Sequence, residues 1–576
     1  MRKNEHYEWD GEMQEGVLFA IRRLDEILFF YTKDTYKAPI FNSKMLVNEY
    51  IDVCNKIDLK LLDAKNEEKI VEELICKLEA DKEALELIGK NIFEEFKKNY
   101  QSYNKREERQ YIELFKSSLS GKVYLKLIKE HLLLAVKKTE KSEIDRLLLQ
   151  FVCEVKNIGY EPRFLYKCLN EQLWNTEIVD FEKFKGFIDS FSGKIKQYKL
   201  LIEEQRELAD FCVNLAKEYQ GISFSKMSSE KIPDYMHKTD EKSVFIVLDS
   251  IKALDEYAAV EMAKSIIKTF DHFYLFYKHR FSSSDSKCYV WINGKYTSIR
   301  PEAKGIQKSI KGVKQENLIK RARGMFDFAT EQPDNFYNLI RIMDIHNTAV
   351  GTESASNALL SLWSISELLL EKENAISSGS RINQIASMMQ PFLIYNYIQG
   401  LVNQFKDDFG RLYEEKCKRI LKSINEGTNE LERMYAFIVL DKYDKLRKNL
   451  YEELNEHPLL RYRLFSLNDT MRSNKGIKKL IERHKKKTEW QIYRIYRSRN
   501  CIIHDGEKIS HIEDLVENLH SYIDELCKGI IENASKRLTF FSVEDSIYEM
   551  KIKNKFYMER LDKAIDEDNL FDYLYF

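Results

Sequence analysis

Residues 490–506 read WQIYRIYRSRNCIIHDG, and the folding of this stretch decides the rest. Wound as a helix at about 100° per residue, it places Ile492, Ile495, Tyr496, Ile502 and Ile503 on one apolar stripe, and Arg499 projects from the middle of it. A guanidinium stands where a leucine is expected. An unpaired buried charge is strongly destabilising, so Arg499 requires an acidic partner, a wet cleft or an anionic ligand. Arg494 and Arg497 point away from the stripe and call for no such explanation. Asn500 and His504, four residues apart, share one flank of the same helix. An amide, an imidazole and a guanidinium are therefore expected around one cleft. Gly506 is placed to end the helix in the left-handed conformation, and Ser510 with Glu513 forms a capping box for the next one.

A second segment, SNALLSLWSISELLLEKE (residues 356–373), has the same character. Leu359, Leu360, Trp363 and Leu370 form a helical stripe, and Glu367 falls inside it. A carboxylate on a core-facing line has two readings, a partner for a buried cation or a helix-end Glu at the surface.

Together these residues resemble the HEPN superfamily, whose motif is an Arg, a polar residue, a few variable residues and a His. Arg499-Asn500-Cys501-Ile502-Ile503-His504 fits the form with four residues between Arg and His. Tyr496 ahead of the motif, Asp505-Gly506 behind it, and the upstream helix with SSGSRINQIASMM (377–389) after it are similar to the Apea-like branch found in abortive-infection proteins. The resemblance implies a helical bundle in which Glu367 is the partner of Arg499. It also implies a metal-independent, cofactor-free endoribonuclease with Arg499, Asn500, His504 and Glu367 at its site. In such enzymes the RNA 2′-OH attacks the adjacent phosphate, leaving a 2′,3′-cyclic phosphate and a 5′-OH. Single-stranded or loop RNA as substrate, a homodimer, and a phage-derived trigger or regulatory partner are the further expectations. No zinc spacing, Walker loop or paired-carboxylate nuclease motif accompanies them. The competing classes are a non-catalytic RNA-binding or toxin-neutralising module of the same fold, and a helical scaffold in which Arg499 and Glu367 are a structural pair.

Two basic runs flank the motif region. Lys475, Lys478, Lys479, Arg483, Lys485, Lys486 and Lys487 lead into the motif helix and are the expected RNA-binding set. Lys304, Lys308, Lys311, Lys314, Lys320, Arg321 and Arg323 open the domain and read as a solvated helix face.

The remaining chain is consistent with a mainly helical protein. Its 576 residues exceed one ordinary core. Gly (20) and Pro (7) are scarce while Lys, Glu, Leu and Ile abound, which favours helices over turn-rich sheet. Lys+Arg (92) and Asp+Glu (93) balance, so any nucleic-acid binding must use local patches. Nine scattered cysteines with no CxxC pair encode neither a disulfide framework nor a zinc knuckle. No apolar stretch approaches the roughly 20 residues that span a bilayer, and a cytoplasmic protein is expected.

Four regions follow. Residues 1–205 read as a helical domain, with Ser142 and Asp145 opening one of its helices. Residues 206–300 read as a small α+β module: a strand at Val244–Leu248, a helix, a second strand at His272–Tyr277, and a hairpin turning on Asn293-Gly294. Residues 301–540 are expected, on the resemblance, to form the HEPN-like bundle, with a polar break at Asn374–Ser380 and a long helical insertion between about 392 and 475. The acidic, aromatic tail 541–576 is expected to dock on the body.

Overall fold

The computed structural model describes residues 15–575 apart from 30–35, 176–179, 217–223, 228–232, 234–235, 237–242, 279–286, 301–318, 320–332, 372–379, 507–508, 537–541 and 564–568. The N-terminal domain is helical: α1 (Glu15–Leu28), α2 (Ser43–Asp58), α3 (Lys65–Ala80), α4 (Lys82–Ile88), α5 (Lys90–Asn99), α6 (Lys105–Ser118), α7 (Val123–Lys137), α8 (Lys141–Asn157), α9 (Pro162–Leu169) and α10 (Phe181–Ser190). Val17, Phe19, Ala20 and Leu24 sink α1 into the centre of this bundle. Buried Arg23 is neutralised there by Glu26 at 2.7 Å and Asp145 at 2.6 Å. Asp145 is thus a charge partner rather than a capping residue, and α8 starts after Glu140, with Ser142 already inside its first turn.

Residues 196–205, expected as helix, are instead the central strand of the sheet. The five strands β1 (Lys196–Gln205), β2 (Phe224–Lys226), β3 (Ser243–Ala253), β4 (Cys288–Ile292) and β5 (Lys295–Ile299) pair antiparallel in the order β2-β3-β1-β4-β5. The run Leu200-Leu201-Ile202 misleads because both faces of β1 are covered, so a buried strand shows no alternation. Leu200 and Ile202 pack under α11 (Arg206–Ala216) and α12 (Glu256–Lys278), while Leu201 joins Phe245, Val247 and Tyr289 on the other face. His272–Tyr277, expected as strand, is the last part of α12, where Phe273, Phe276 and Tyr277 lie exposed. Aromatic β-propensity yields there to continuation of a long helix. The Asn293-Gly294 turn has positive φ at both residues (50° and 82°), as a type I′ hairpin demands.

The C-terminal half contains α13 (Pro333–Gly351), α14 (Ala355–Glu371), α15 (Arg381–Tyr395), α16 (Tyr397–Leu412), α17 (Glu414–Ser423), α18 (Glu430–Val439), α19 (Asp444–Glu453), α20 (Pro458–Met471), α21 (Asn474–Asp505), α22 (Ile512–Lys536) and α23 (Val543–Arg560). Helices α13–α15, α22, the second half of α21 and the start of α23 share one core, with Leu359, Trp363, Ile385, Ile492, Ile495 and Leu519 at its centre. The inserted helices α16–α20 build a separate core with Ile477 and Ile481 of α21. Leu570, Tyr573 and Leu574 dock the tail onto that second core. The opening basic run (Lys304–Arg323) and nearly all of the polar break lie outside the described residues. Among the described residues no helix is long and apolar enough to cross a membrane.

The 32 residues of α21 make a rod roughly 48 Å long that passes through both C-terminal cores. Its flank also meets the N-terminal domain, through Lys486 with Glu72 at 3.3 Å and Glu489 with Lys69 at 3.0 Å on α3.

Candidate active site

Helix α21 starts where the Ser473 hydroxyl accepts the Gly476 N–H and ends at Gly506, whose φ of 62° is left-handed and whose N–H bonds the Cys501 carbonyl. The start of α22 is one residue later than the expected Ser510 cap. Leu515 N–H bonds the carbonyl of His511, whose φ is 61°. Ile492 and Ile495 of the expected stripe are fully buried, and Tyr496 and Ile502 pack partly onto the same core. The stripe emerges only at its end, where Ile503 is 47% exposed and His504 is exposed.

Arg499 stands at the point of emergence. Its Nη1 donates to the Asn500 Oδ1 at 3.1 Å, and its Nη2 lies 3.6 Å from the Glu367 Oε1. The same Glu367 oxygen accepts the Trp363 indole N–H at 3.0 Å, and the Trp363 ring packs 5.8 Å from that of Tyr496. Arg381, which has no role in the sequence pattern, adds a second guanidinium 3.8 Å from Glu367. Glu367, Arg499 and Asn500 are therefore together, with Arg381 beside them. His504 follows one turn beyond Asn500, about 6 Å along the axis. It makes no side-chain hydrogen bond or ion pair with the described residues.

The two arginines that the apolar stripe leaves pointing outward are the buried ones. Arg494 is 2% exposed and donates to Glu49 at 2.8–3.1 Å and to Glu73 at 2.6 Å, with the Phe41 ring 4.7 Å beneath it. Arg497 donates to Glu49 at 2.6 Å. Burial pushes the Glu49 carboxyl up, but the Arg494 and Arg497 guanidiniums outweigh it and hold the group down at about 2. A helical wheel drawn for one core misses this, because α21 has a second covered face, supplied by α2 and α3. The signal available in sequence is the three-residue spacing of Arg494 and Arg497, which puts both on that face, although nothing local identifies Glu49 and Glu73.

Of the basic run, Lys475, Lys479, Arg483, Lys485 and Lys486 are exposed on the first half of α21. Lys478 is held by Asp562 at 2.6 Å and Lys486 by Glu72, while Lys487 is half-buried. Lys485 lies within about 40° of Arg499 around the helix, and roughly 21 Å before it along the axis. All nine cysteines are free thiols, and Cys76 alone among them is exposed.

A cluster outside the expected site, His346 on α13 with His520 and Asp524 on α22, has the composition of a metal-ligand set. Spacing in the sequence does not reveal this set, because His346 is far from the other two in the chain. Compared with protein-family models, with curated proteins and with solved structures, the chain has no match.

Proposed function

We propose that the chain is a metal-independent endoribonuclease of the HEPN type, acting in the cytoplasm as an abortive-infection effector on single-stranded or loop RNA. The observation that carries this reading is the contrast among the arginines of α21. Arg494 is sealed by two carboxylates at hydrogen-bond distance, as a structural cation should be. Among the described residues Arg499 faces a single carboxylate, at 3.6 Å, beyond the roughly 2.7–2.9 Å of a charge-assisted hydrogen bond, and its side chain is 23% exposed. A phosphate arriving from solvent would compete well for that guanidinium.

In the proposed reaction the 2′-oxygen forms a bond to phosphorus and the bond to the 5′-oxygen breaks. The 2′-hydroxyl proton is taken up by a base, and a proton is delivered to the departing 5′-oxygen. His504 serves that proton traffic, and Arg499 neutralises charge building on the non-bridging oxygens. Asn500 and Glu367 hold the guanidinium in place.

Arg499 and His504 are five residues apart, about 140° around one helix, so a straight helix does not aim both at one phosphate. A second copy facing this end of α21 would supply the missing group, and a homodimer is part of the proposal. Most of the apolar stripe is covered within the chain and is not free to pair with a mate. The exposed end at Ile503 and His504 is what remains for a mate to cover.

The test is His504→Ala. This exposed side chain contributes little to packing, so the variant should fold and melt like the parent while losing RNA cleavage and growth inhibition. Undiminished cleavage by the folded variant would remove His504 from the mechanism.

A further inference from the structure

His346, His520 and Asp524 hold their ligand atoms at distances that suit a metal better than they suit one another. The two Nε2 atoms face each other at 3.0 Å. The Asp524 Oδ1 is 3.4 Å from the first and 3.8 Å from the second. One hydrogen bond between the imidazoles explains the shortest side. It leaves the carboxylate unexplained, because both of its separations lie outside the usual 2.7–3.2 Å range of an N–H···O bond. A triangle with these sides has a circumradius of about 2.0 Å, so one point sits roughly 2.0–2.1 Å from all three atoms, as Zn–N and Zn–O bonds require. One face of a zinc tetrahedron has edges of about 3.3–3.4 Å, the middle of the observed range.

The surroundings fit as well. His520 and Asp524 are four residues apart on α22, on one face, and His346 reaches them from α13. The His520 side chain is 2% exposed and fixed, whereas the Asp524 side chain is 41% exposed, which leaves a route in from solvent and a fourth position open to water.

We propose that His346, His520 and Asp524 bind one divalent d-block cation of the zinc class, two imidazoles and a carboxylate being donors suited to such ions. The ion joins α13 to α22, two helices of the core that carries Arg499. The inference does not depend on the nuclease reading, since none of the three ligands belongs to that site.

The experiment uses the full chain without a polyhistidine tag, stripped with chelator and titrated with Co2+ and then Zn2+. One Co2+ per chain should bind with the visible absorption of a four-coordinate ion, be displaced by Zn2+, and raise the melting temperature. Asp524→Asn and His346→Ala replace partly exposed side chains and should keep the helical circular dichroism. Each should weaken metal binding by about 100-fold or more, beyond the 10–100-fold typical of losing a group that only supports a ligand. Absence of the cobalt band and of any metal-dependent stabilisation in the parent chain overturns the proposal. So does unchanged stoichiometric binding by both folded variants.

Discussion

Replacing Arg494 and Arg499 in turn by methionine separates a structural arginine from a functional one. Arg494→Met strands Glu73 in a nearly sealed interface and leaves Glu49 with Arg497 as its one cationic partner among the described residues, and breaking a buried pair in this way costs about 3–5 kcal/mol. With an unfolding entropy of about 1.2 kcal/mol/K for a chain of 576 residues, the melting temperature should fall by roughly 2–4 °C. Arg499→Met removes a partly exposed pair at 3.6 Å, worth within about 1 kcal/mol, yet should abolish cleavage. Acid dependence adds a sign. The Glu49 carboxyl is held at about 2 in the folded chain, against about 4.3 when unfolded. A depressed folded pKa contributes stability that is complete above the unfolded value and is lost as the pH falls through the folded one. This contribution, on the order of 3 kcal/mol, is intact at pH 7 and drains between about pH 5 and pH 2. In Arg494→Met, Glu49 keeps Arg497 but loses the larger of its two cationic supports, so its acid-sensitive contribution is smaller from the outset. The penalty of the substitution, read from thermal melts against the parent, should therefore be smaller at about pH 3 than at pH 7. If Arg499→Met melts as low as Arg494→Met, the two arginines do the same structural work and the scaffold reading prevails.

Three further outcomes are expected. Cleavage should persist in excess EDTA, assayed below the melting point of the chelated protein, and leave 2′,3′-cyclic phosphate and 5′-OH ends; strict magnesium dependence with 5′-phosphate products would point to another mechanism. Arg499→Ala and His504→Ala proteins, each inactive alone, should regain part of the activity when mixed under subunit exchange, whereas an active enzyme that is strictly monomeric rules out the composite site. Changing Lys479, Arg483 and Lys485 together to glutamine should weaken RNA binding and flatten its salt dependence by about 0.7 for each phosphate no longer neutralised; an unaltered slope leaves this run as a solvated helix face.

The legible parts of the fold are those set by local chemistry. Gly506, with no side chain to clash at positive φ, and the Asn293-Gly294 hairpin fall where the sequence places them. The helical majority and the docked tail also follow from composition and periodicity, whereas the meeting of Glu367 with Arg499 is what the family resemblance implies and periodicity alone leaves open. The misplaced parts depend on partners far along the chain. β1 looks helical because covers on both faces erase its alternation, and α12 looks like a strand where its aromatics are exposed. Arg494 reads as solvated in the sequence because its carboxylates lie more than 400 residues away. His346 is likewise 174 residues from His520, so no spacing rule brings the two together.

The position of Arg494 bears on how the motif is held. It lies five residues before Arg499, about 7.5 Å along the same rigid helix. Glu49 on α2 and Glu73 on α3 therefore grip α21 barely more than one turn from the guanidinium proposed to meet phosphate. On the opposite side, the core of α14, α15 and α22 holds Ile492 and Ile495, while the insertion holds Ile477 and Ile481 at the far end. Three packed units thus fix the direction in which Arg499, Asn500 and His504 emerge. The N-terminal domain is one of the three. A chain cut near residue 301 would keep every motif residue, yet it would expose Arg494 and Arg497 without their carboxylates and leave that face of α21 unsupported. The geometry around Arg499 is consequently a property of the whole chain and not of a portable C-terminal bundle.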